Sequence, residues 1–411
     1  IDEIYYFIYS GAALFFIAYV LQEMHFLKLI LRNTLRHKLR TGLTILGIIV
    51  AIVAFGLLRT VVDAWYSGAE GSSETRLVTR NAISLVFHLP IKYQDRIKKL
   101  RGVTEVTHAS WFGGVYITEK NFFPQFAIDA KTYFDVYSEY IIPPKELTAF
   151  TTDRKGCVIG RKLADVYGLK IGDTVPIRGT IYPGTWKFNV RAIYDGAEAK
   201  TDTSQFFFHW DYLNESRKRV IARSARTTNW VGVYAINISE PNRASEISGE
   251  VDKLFKNSLA ETRTETEKAF QLGFVSMTEA IVVAIRIVSY VVILIILAVM
   301  ANTMAMTARE RTSEYATLKA LGFSHHFISG LIYGESMIIA FLGTLIGILL
   351  TFPVAAMFSA KVGTLFPVFG VSLETIYMQA IAALLIGITA AVIPAFRSAQ
   401  VPIVEGLRSI G

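Results

Sequence analysis

The residues best placed for chemistry in this chain are ionisable side chains bordering long apolar runs. In MTARERTSEYATLKALGFS (306–324), Arg309, Glu310 and Arg311 are consecutive, and Glu314 and Lys319 follow among small, polar and apolar residues. Leu318 and Leu321 supply an apolar edge, and Gly322 offers a helix stop. By its residues alone the segment is either a docking helix or a solvated loop joining two apolar runs. Glu335 lies further on, between glycine pairs. An ionisable group at membrane depth is costly unless paired or neutral, so Glu335 marks either ion movement or a structural hydrogen bond shared with Ser336. His325 and His326 have no Cys or carboxylate at metal-ligand spacing, and no metal is predicted. Asp202, Ser204 and His209 have the residue types of a hydrolase but no G-x-S-x-G elbow, and read as polar loop residues. Gly156 to Lys162 (GCVIGRK) does not fit GxxxxGK[ST], whose backbone N–H groups and lysine hold nucleotide phosphates, and no such string occurs elsewhere. No catalytic constellation is predicted. The single cysteine, Cys157, cannot form an intrachain disulfide.

The elements that must position these residues follow from composition. The 411 residues are 52% hydrophobic and only 18% charged, against about 25% charged in an ordinary soluble domain. The apolar excess is concentrated at both ends, while 64–272 has a soluble composition. A hydrocarbon core about 30 Å thick takes about 20 apolar residues in helix. Four charge-free stretches qualify: Thr41 to Leu58, Ile287 to Ala308, Ser336 to Ala360, and Ile376 to Phe396. The fold class predicted is an α-helical membrane protein with four transmembrane helices and a mixed α/β extracytoplasmic domain inserted between the first and second. Orientation follows from short loops. Lys28, Arg32, Arg36, Lys38 and Arg40 precede the first span. Arg309, Arg311 and Lys319 lie between the second and third, and Arg397 and Arg408 follow the fourth. The loop after the third span carries only Lys361. Both ends of this unit and the 309–325 loop are therefore expected in the cytoplasm, and the soluble domain outside. The net charge of +8 sits largely beside apolar spans, which points to lipid headgroups and away from nucleic acid.

The expected boundaries are an interfacial helix at 24–40, spans at 41–63, 273–308, 325–360 and 374–396, and a cytoplasmic tail at 397–411. The domain at 64–272 reads as two small α/β lobes. Leu27, Leu31, Leu35 and Leu39 recur every four residues, as do Lys28, Arg32, Arg36 and Arg40, placing an apolar stripe beside a basic one on a helix in the inner interface. Gly330 with Gly334, and Gly343 with Gly347, are spaced for close helix packing. In the domain, 81–87, GVTEVTHAS and 231–239 read as strands, and 92–100 and 243–257 as helices. Turn signals fall at 172–173 and 183–184. Residues 1–23 are apolar from Ile4 to Leu21 and have three readings: an extra span, an accessory piece, or a segment outside the core protein. Their lack of basic residues argues against a cleaved signal peptide, and Met24 reads as a natural start.

Several of these stretches resemble one family, the FtsX-like permeases, in particular MacB-type ABC transporter permeases. LRNTLRHKLRTGLTILGIIVAI (31–52) is similar to the family's leading helix and first span. Residues 301–350, with ERTSEYATLKALG at their centre, resemble its second span, cytoplasmic helix and third span. PAFRSAQVPIVEGLR (394–408) resembles its exit from the fourth span, and VIGRKLADVYGLKIGDTVPIRG (158–179) its extracytoplasmic core. The resemblance spans roughly residues 24–411. It implies a homo- or heterodimer of four-span subunits driven by a separate cytoplasmic ATPase dimer, which binds ATP and Mg, so that this chain needs no cofactor. MacB itself departs from that plan by carrying its ATPase on the same polypeptide. The resemblance makes 309–324 the coupling helix that docks on the ATPase, through Arg309, Glu310, Arg311, Glu314, Leu318 and Lys319. It further implies mechanotransmission, in which a stiff helix continuous over 275–308 relays cytoplasmic motion outward. The substrate implied is a peptide, antibiotic, lipid or lipoprotein, handled with a periplasmic adaptor or lipoprotein. A signalling scaffold that activates cell-wall hydrolases, as in FtsX, is the alternative.

Overall fold

The structure is a computed structural model that describes residues 28–198, 200–220, 228–362, 366 and 368–404. The segment 1–23 and Arg408 lie outside the described residues. In chain order the helices are α1 (28–34), α2 (Lys38–Glu70), α3 (Tyr93–Ile97), α4 (Tyr133–Val136), α5 (Pro144–Thr152), α6 (Arg161–Tyr167), α7 (Trp210–Val220), α8 (Ala244–Leu254), α9 (Glu267–Met277), α10 (Glu279–Glu310), α11 (Thr312–Ala320), α12 (His325–Val362) and α13 (Leu373–Gln400). The strands are β1 (Arg76–Asn81), β2 (Leu89–Pro90), β3 (Val103–Trp111), β4 (Gly114–Tyr116), β5 (Gln125–Ile128), β6 (Tyr140–Ile141), β7 (Gly156–Gly160), β8 (Thr174–Gly179), β9 (Gly184–Gly196), β10 (Phe206–His209), β11 (Trp230–Val231), β12 (Val233–Ile238) and β13 (Thr262–Thr266). They form two compact units: one of the residues up to Val62, Val283–Phe358 and those from Gly370, the other of Asp63–Val282 with Ser359–Phe369.

Among the described residues α2, α10, α12 and α13 are long and apolar enough to cross a membrane. Their Ile- and Val-rich sequences are mediocre helix formers in water, but in hydrocarbon only a helix satisfies every backbone group within one segment. Glycines set how closely these helices approach. A Cβ on Gly343 would lie 2.7 Å from Ile48 Cγ2, and one on Gly347 would lie 2.8 Å from Ile52 Cγ2, so α12 meets α2 with almost no space between them. Gly334 stands against Ile30 of α1 in the same way. Gln379 of α13 fastens the bundle with a polar contact, its Nε2 donating to the Ile52 carbonyl (2.9 Å) and to Thr351 Oγ1 (3.0 Å).

Three element boundaries differ from the sequence reading. The basic helix expected over 24–40 is broken at 35–37, so Lys38 and Arg40 begin α2. The Thr41 hydroxyl donates to the Thr34 carbonyl (2.7 Å), satisfying an acceptor left open where α1 stops. The helix expected to be continuous over 275–308 has a joint at Thr278 (φ −113°, ψ 12°), which separates α9 from α10. The helix expected over 309–324 is shorter. Arg309 and Glu310 complete α10, and α11 has nine residues. Gly322, with φ +93°, stops it, as its lack of a side chain allows.

The second unit is built on one sheet in the order β13-β1-β12-β3-β5-β10-β7-β9-β8-β4, with β6 on β9. Pairing is antiparallel except at β10·β5 and β7·β9. The two lobes read from the sequence are thus joined by uninterrupted strand pairing. Strand alternation explains why FFFH at 206–209 is apolar on both faces. Phe206 and Phe208 enter one core with Phe112 and Phe188, while Phe207 enters another with Tyr133, Phe150 and Tyr194. Of residues 81–87, expected as a strand, only Asn81 is one, as the end of β1 (RLVTRN); 82–87 form a loop. The predicted turns lie where Gly172 and Gly184 take φ of +98° and +122°. The Ser359–Phe369 segment belongs to this unit: Phe366 is buried 5.4 Å from the Trp65 ring, and its carbonyl accepts from Lys162 Nζ (2.7 Å).

Candidate functional site at the connector between the second and third spans

The ionisable residues singled out above converge at α11. Arg311 occupies the one-residue joint between α10 and α11 and is buried. A buried guanidinium needs partners on several sides. Its Nη1 donates to Glu335 Oε2 of α12 (3.1 Å) and its Nε to Glu314 Oε2 of α11 (3.0 Å). Its charge also lies 5.3 Å from the Tyr315 ring centroid. Glu335 is therefore a paired carboxylate, and Ser336 makes its own bond to the Gly387 carbonyl (2.6 Å). Glu314 also accepts from Arg36, and Glu310 Oε2 accepts from Arg40 Nη1 (2.7 Å). Lys319 Nζ donates to the Ala399 and Val401 carbonyls (2.8 and 2.7 Å), satisfying the open C-terminal end of α13.

The connector is thus tied to α12, to the end of α13 and to the residues around the α1–α2 break. The resemblance made Glu310, Arg311, Glu314 and Lys319 contacts for the ATPase; in the structure all four also have partners within the chain. Sequence reading missed Arg36 and Arg40 as their partners. The signal available was complementarity between the acid-free RNTLRHKLR and the glutamates of ERTSE. Arg309 is exposed and Leu318 half-buried. The outward apolar surface is the turn after α11, where Leu321 is 71% and Phe323 43% exposed beside exposed His325 and His326. Of the basic stripe, Lys28 and Arg32 remain exposed on α1. Gly330 lies half-buried within α12.

In the α/β unit the polar groups serve structure. Asp202 Oδ1 accepts from Ser204 N (2.8 Å) and Oγ (2.5 Å), while His209 Nε2 donates to the Phe150 carbonyl (2.8 Å), so no serine–histidine relay forms among them. In GCVIGRK, Gly160 is needed for packing, since a Cβ there would meet the Thr203 carbonyl oxygen at 1.9 Å. Burial pushes the Cys157 thiol well up, which leaves it unreactive. Arg76 is buried and donates through Nη1 to Glu139 Oε1 (2.7 Å) and Glu267 Oε1 (3.3 Å), while stacking 4.0 Å over Tyr137. Burial raises the Glu267 carboxyl above its ordinary range, and Arg76 opposes that shift. Among the described residues no group of three or more His, Cys, Asp or Glu could hold a metal.

Comparison with known proteins agrees with this architecture. Residues 41–254 match the MacB-like periplasmic core domain, and residues 286–403 match the FtsX-like permease C-terminal region. An uncharacterised ABC transporter permease of Methanocaldococcus jannaschii is 23% identical over 404 residues, covering 92% of this chain and 96% of the relative. An uncharacterised ABC transporter permease protein of Mycobacterium tuberculosis is 24% identical over 216 residues, or 50% of this chain and 22% of its own length. Among solved structures, the periplasmic region of MacB from Actinobacillus actinomycetemcomitans aligns at a TM-score of 0.35 and 12% identity, covering 50% of this chain and 94% of that one. The four spans, the inserted domain and the two family matches define the permease subunit of an ABC transporter, a multi-pass inner-membrane protein whose α/β domain is extracytoplasmic. The chain belongs to the FtsX-like permeases with a MacB-like periplasmic core domain.

Proposed function

We propose that this permease takes its energy from a separate ATPase that docks at the connector, and passes the motion to its extracytoplasmic domain to export or extract a substrate. The observation that carries this reading is the embedding of α11, with its apolar turn outward. Arg311 ties α11 to α12, and Lys319 ties it to the end of α13. A push on Leu321 and Phe323 therefore bears on two spans at once. ATP and Mg would bind the partner, since this chain has no phosphate-binding loop of its own. A second copy of the permease, or a related subunit, completes the assembly. The substrate class is amphiphilic or peptidic, met outside the membrane with an adaptor or lipoprotein, because the spans hold few charges for a hydrophilic path.

Leu321→Glu with Phe323→Glu tests the docking turn. The double variant should still fold and insert but lose co-purification with the ATPase by more than tenfold, since charges at an interface core are poorly tolerated. An ATPase recovered in equal amounts with the variant would place the contact elsewhere.

A further inference from the structure

The basic stripe before the first span is used unevenly. Arg36 and Arg40 hold Glu314 and Glu310 of the connector. Lys28 and Arg32, earlier on the same stripe, are exposed and have no carboxylate partner among the described residues. Lys38 is exposed as well, and no acidic residue occurs from Met24 to Val62. The inner side of α1 is spoken for, because Ile30 and Thr34 are buried and Ile30 fills the space beside Gly334. The exposed side is apolar, with Leu29 and Leu31 of α1, Leu35 in the break and Leu39 of α2 all exposed. Leucines beside cations without counter-charges match the boundary between acyl chains and anionic headgroups.

We propose that residues 28–40 form a binding site for the phosphate headgroup of an anionic lipid, and that Glu310 and Glu314 compete with that headgroup for Arg36 and Arg40. A guanidinium accepts a carboxylate or a phosphodiester in the same forked geometry, so one arginine can exchange between the two. The Arg36–Glu314 pair is well exposed on both sides, and exposed ion pairs exchange at little cost. In a zwitterionic membrane both glutamates stay latched to the stripe. In an anionic membrane headgroups take the arginines, and of the connector's ionic and hydrogen-bonded ties named above those of Arg311 and Lys319 remain, beside the buried Tyr315. Lipid composition thereby sets how firmly the connector is held, whatever docks on it.

The full chain, purified in detergent and titrated with phosphatidylglycerol or phosphatidylcholine, tests this by native mass spectrometry. Phosphatidylglycerol should bind more tightly, and Lys28→Gln and Arg32→Gln should each weaken it by about fivefold with no effect on phosphatidylcholine. The competition makes the opposite prediction for the connector: Glu310→Gln with Glu314→Gln should strengthen phosphatidylglycerol binding severalfold. Equal affinity for the two lipids, or no gain in the double glutamine variant, overturns the proposal. Displacement by inorganic phosphate alone would overturn the lipid assignment. A second readout leaves every charged residue in place. Spin labels at Leu35→Cys and Thr317→Cys, with Cys157 buried, should separate when nanodiscs change from phosphatidylcholine to phosphatidylglycerol. A distance that does not respond to lipid also sinks the idea.

Discussion

Arg311 and Glu335 show how charged residues can be accommodated beside apolar spans. Each is buried and each has the other, so removing one leaves the second uncompensated. Glu335→Ala should destabilise the bundle by about 3 kcal/mol or more, read as a fall in thermal unfolding temperature in detergent. Replacing both by apolar residues of similar volume should cost far less. His108 supplies a pH signature in the other unit. Burial pushes its imidazole down to about 4, with Asp129 and Asp211 only partly opposing. Its Nδ1 is bonded to Gln94 Oε1 (2.8 Å). The unfolded chain takes up this proton from about pH 6.5, so between the two values the unfolded state binds more protons. Stability is retained above pH 6.5 and lost as pH falls towards 4, by up to about 3 kcal/mol from this group. His108→Gln should flatten that acid limb in melting curves taken from pH 7 to 4. Sequence could mark Glu335 as exceptional, but not its partner, because Arg311 lies twenty-four positions away across a helix joint.

At the scale of elements, spans were legible because hydrocarbon demands long uncharged runs, whereas joints were not. The breaks at 35–37 and at Thr278 arise from single hydroxyl and backbone contacts that no periodicity records. The glycine pairs were legible as packing signals, and the structure identifies α2 of the same chain as what Gly343 and Gly347 meet. Gly343→Leu should cost about 1–3 kcal/mol through overpacking against Ile48. Gly249 of α8 makes a contrast, since nothing lies within 4 Å of a Cβ placed there. Gly249→Ala should be neutral or stabilise by about 0.5–1 kcal/mol through helix propensity. Thermal melts of the two variants side by side check both signs.

For the whole molecule, the plan of four spans with an inserted domain followed from composition, and the family followed from the ERTSEYATLKALG block. What composition could not supply was the pairing of the connector's charges within the chain. If the extracytoplasmic domain is the moving part, an engineered disulfide joining the domains of two copies should abolish transport yet leave ATPase binding intact. Full transport by the locked pair would remove the relay. The continuous sheet order also bounds what moves, because strand pairing from β13 to β4 gives the domain no seam along which to divide.

The burial of Phe366 against Trp65, under the Lys162 amine, bears on the order in which the protein is made. Residues 63–282 leave the ribosome well before 359–369. Phe366 therefore reaches Trp65 only after the chain has been made through the third span. The domain is thus completed by a segment made long after its own sheet, from the stretch between the third and fourth spans.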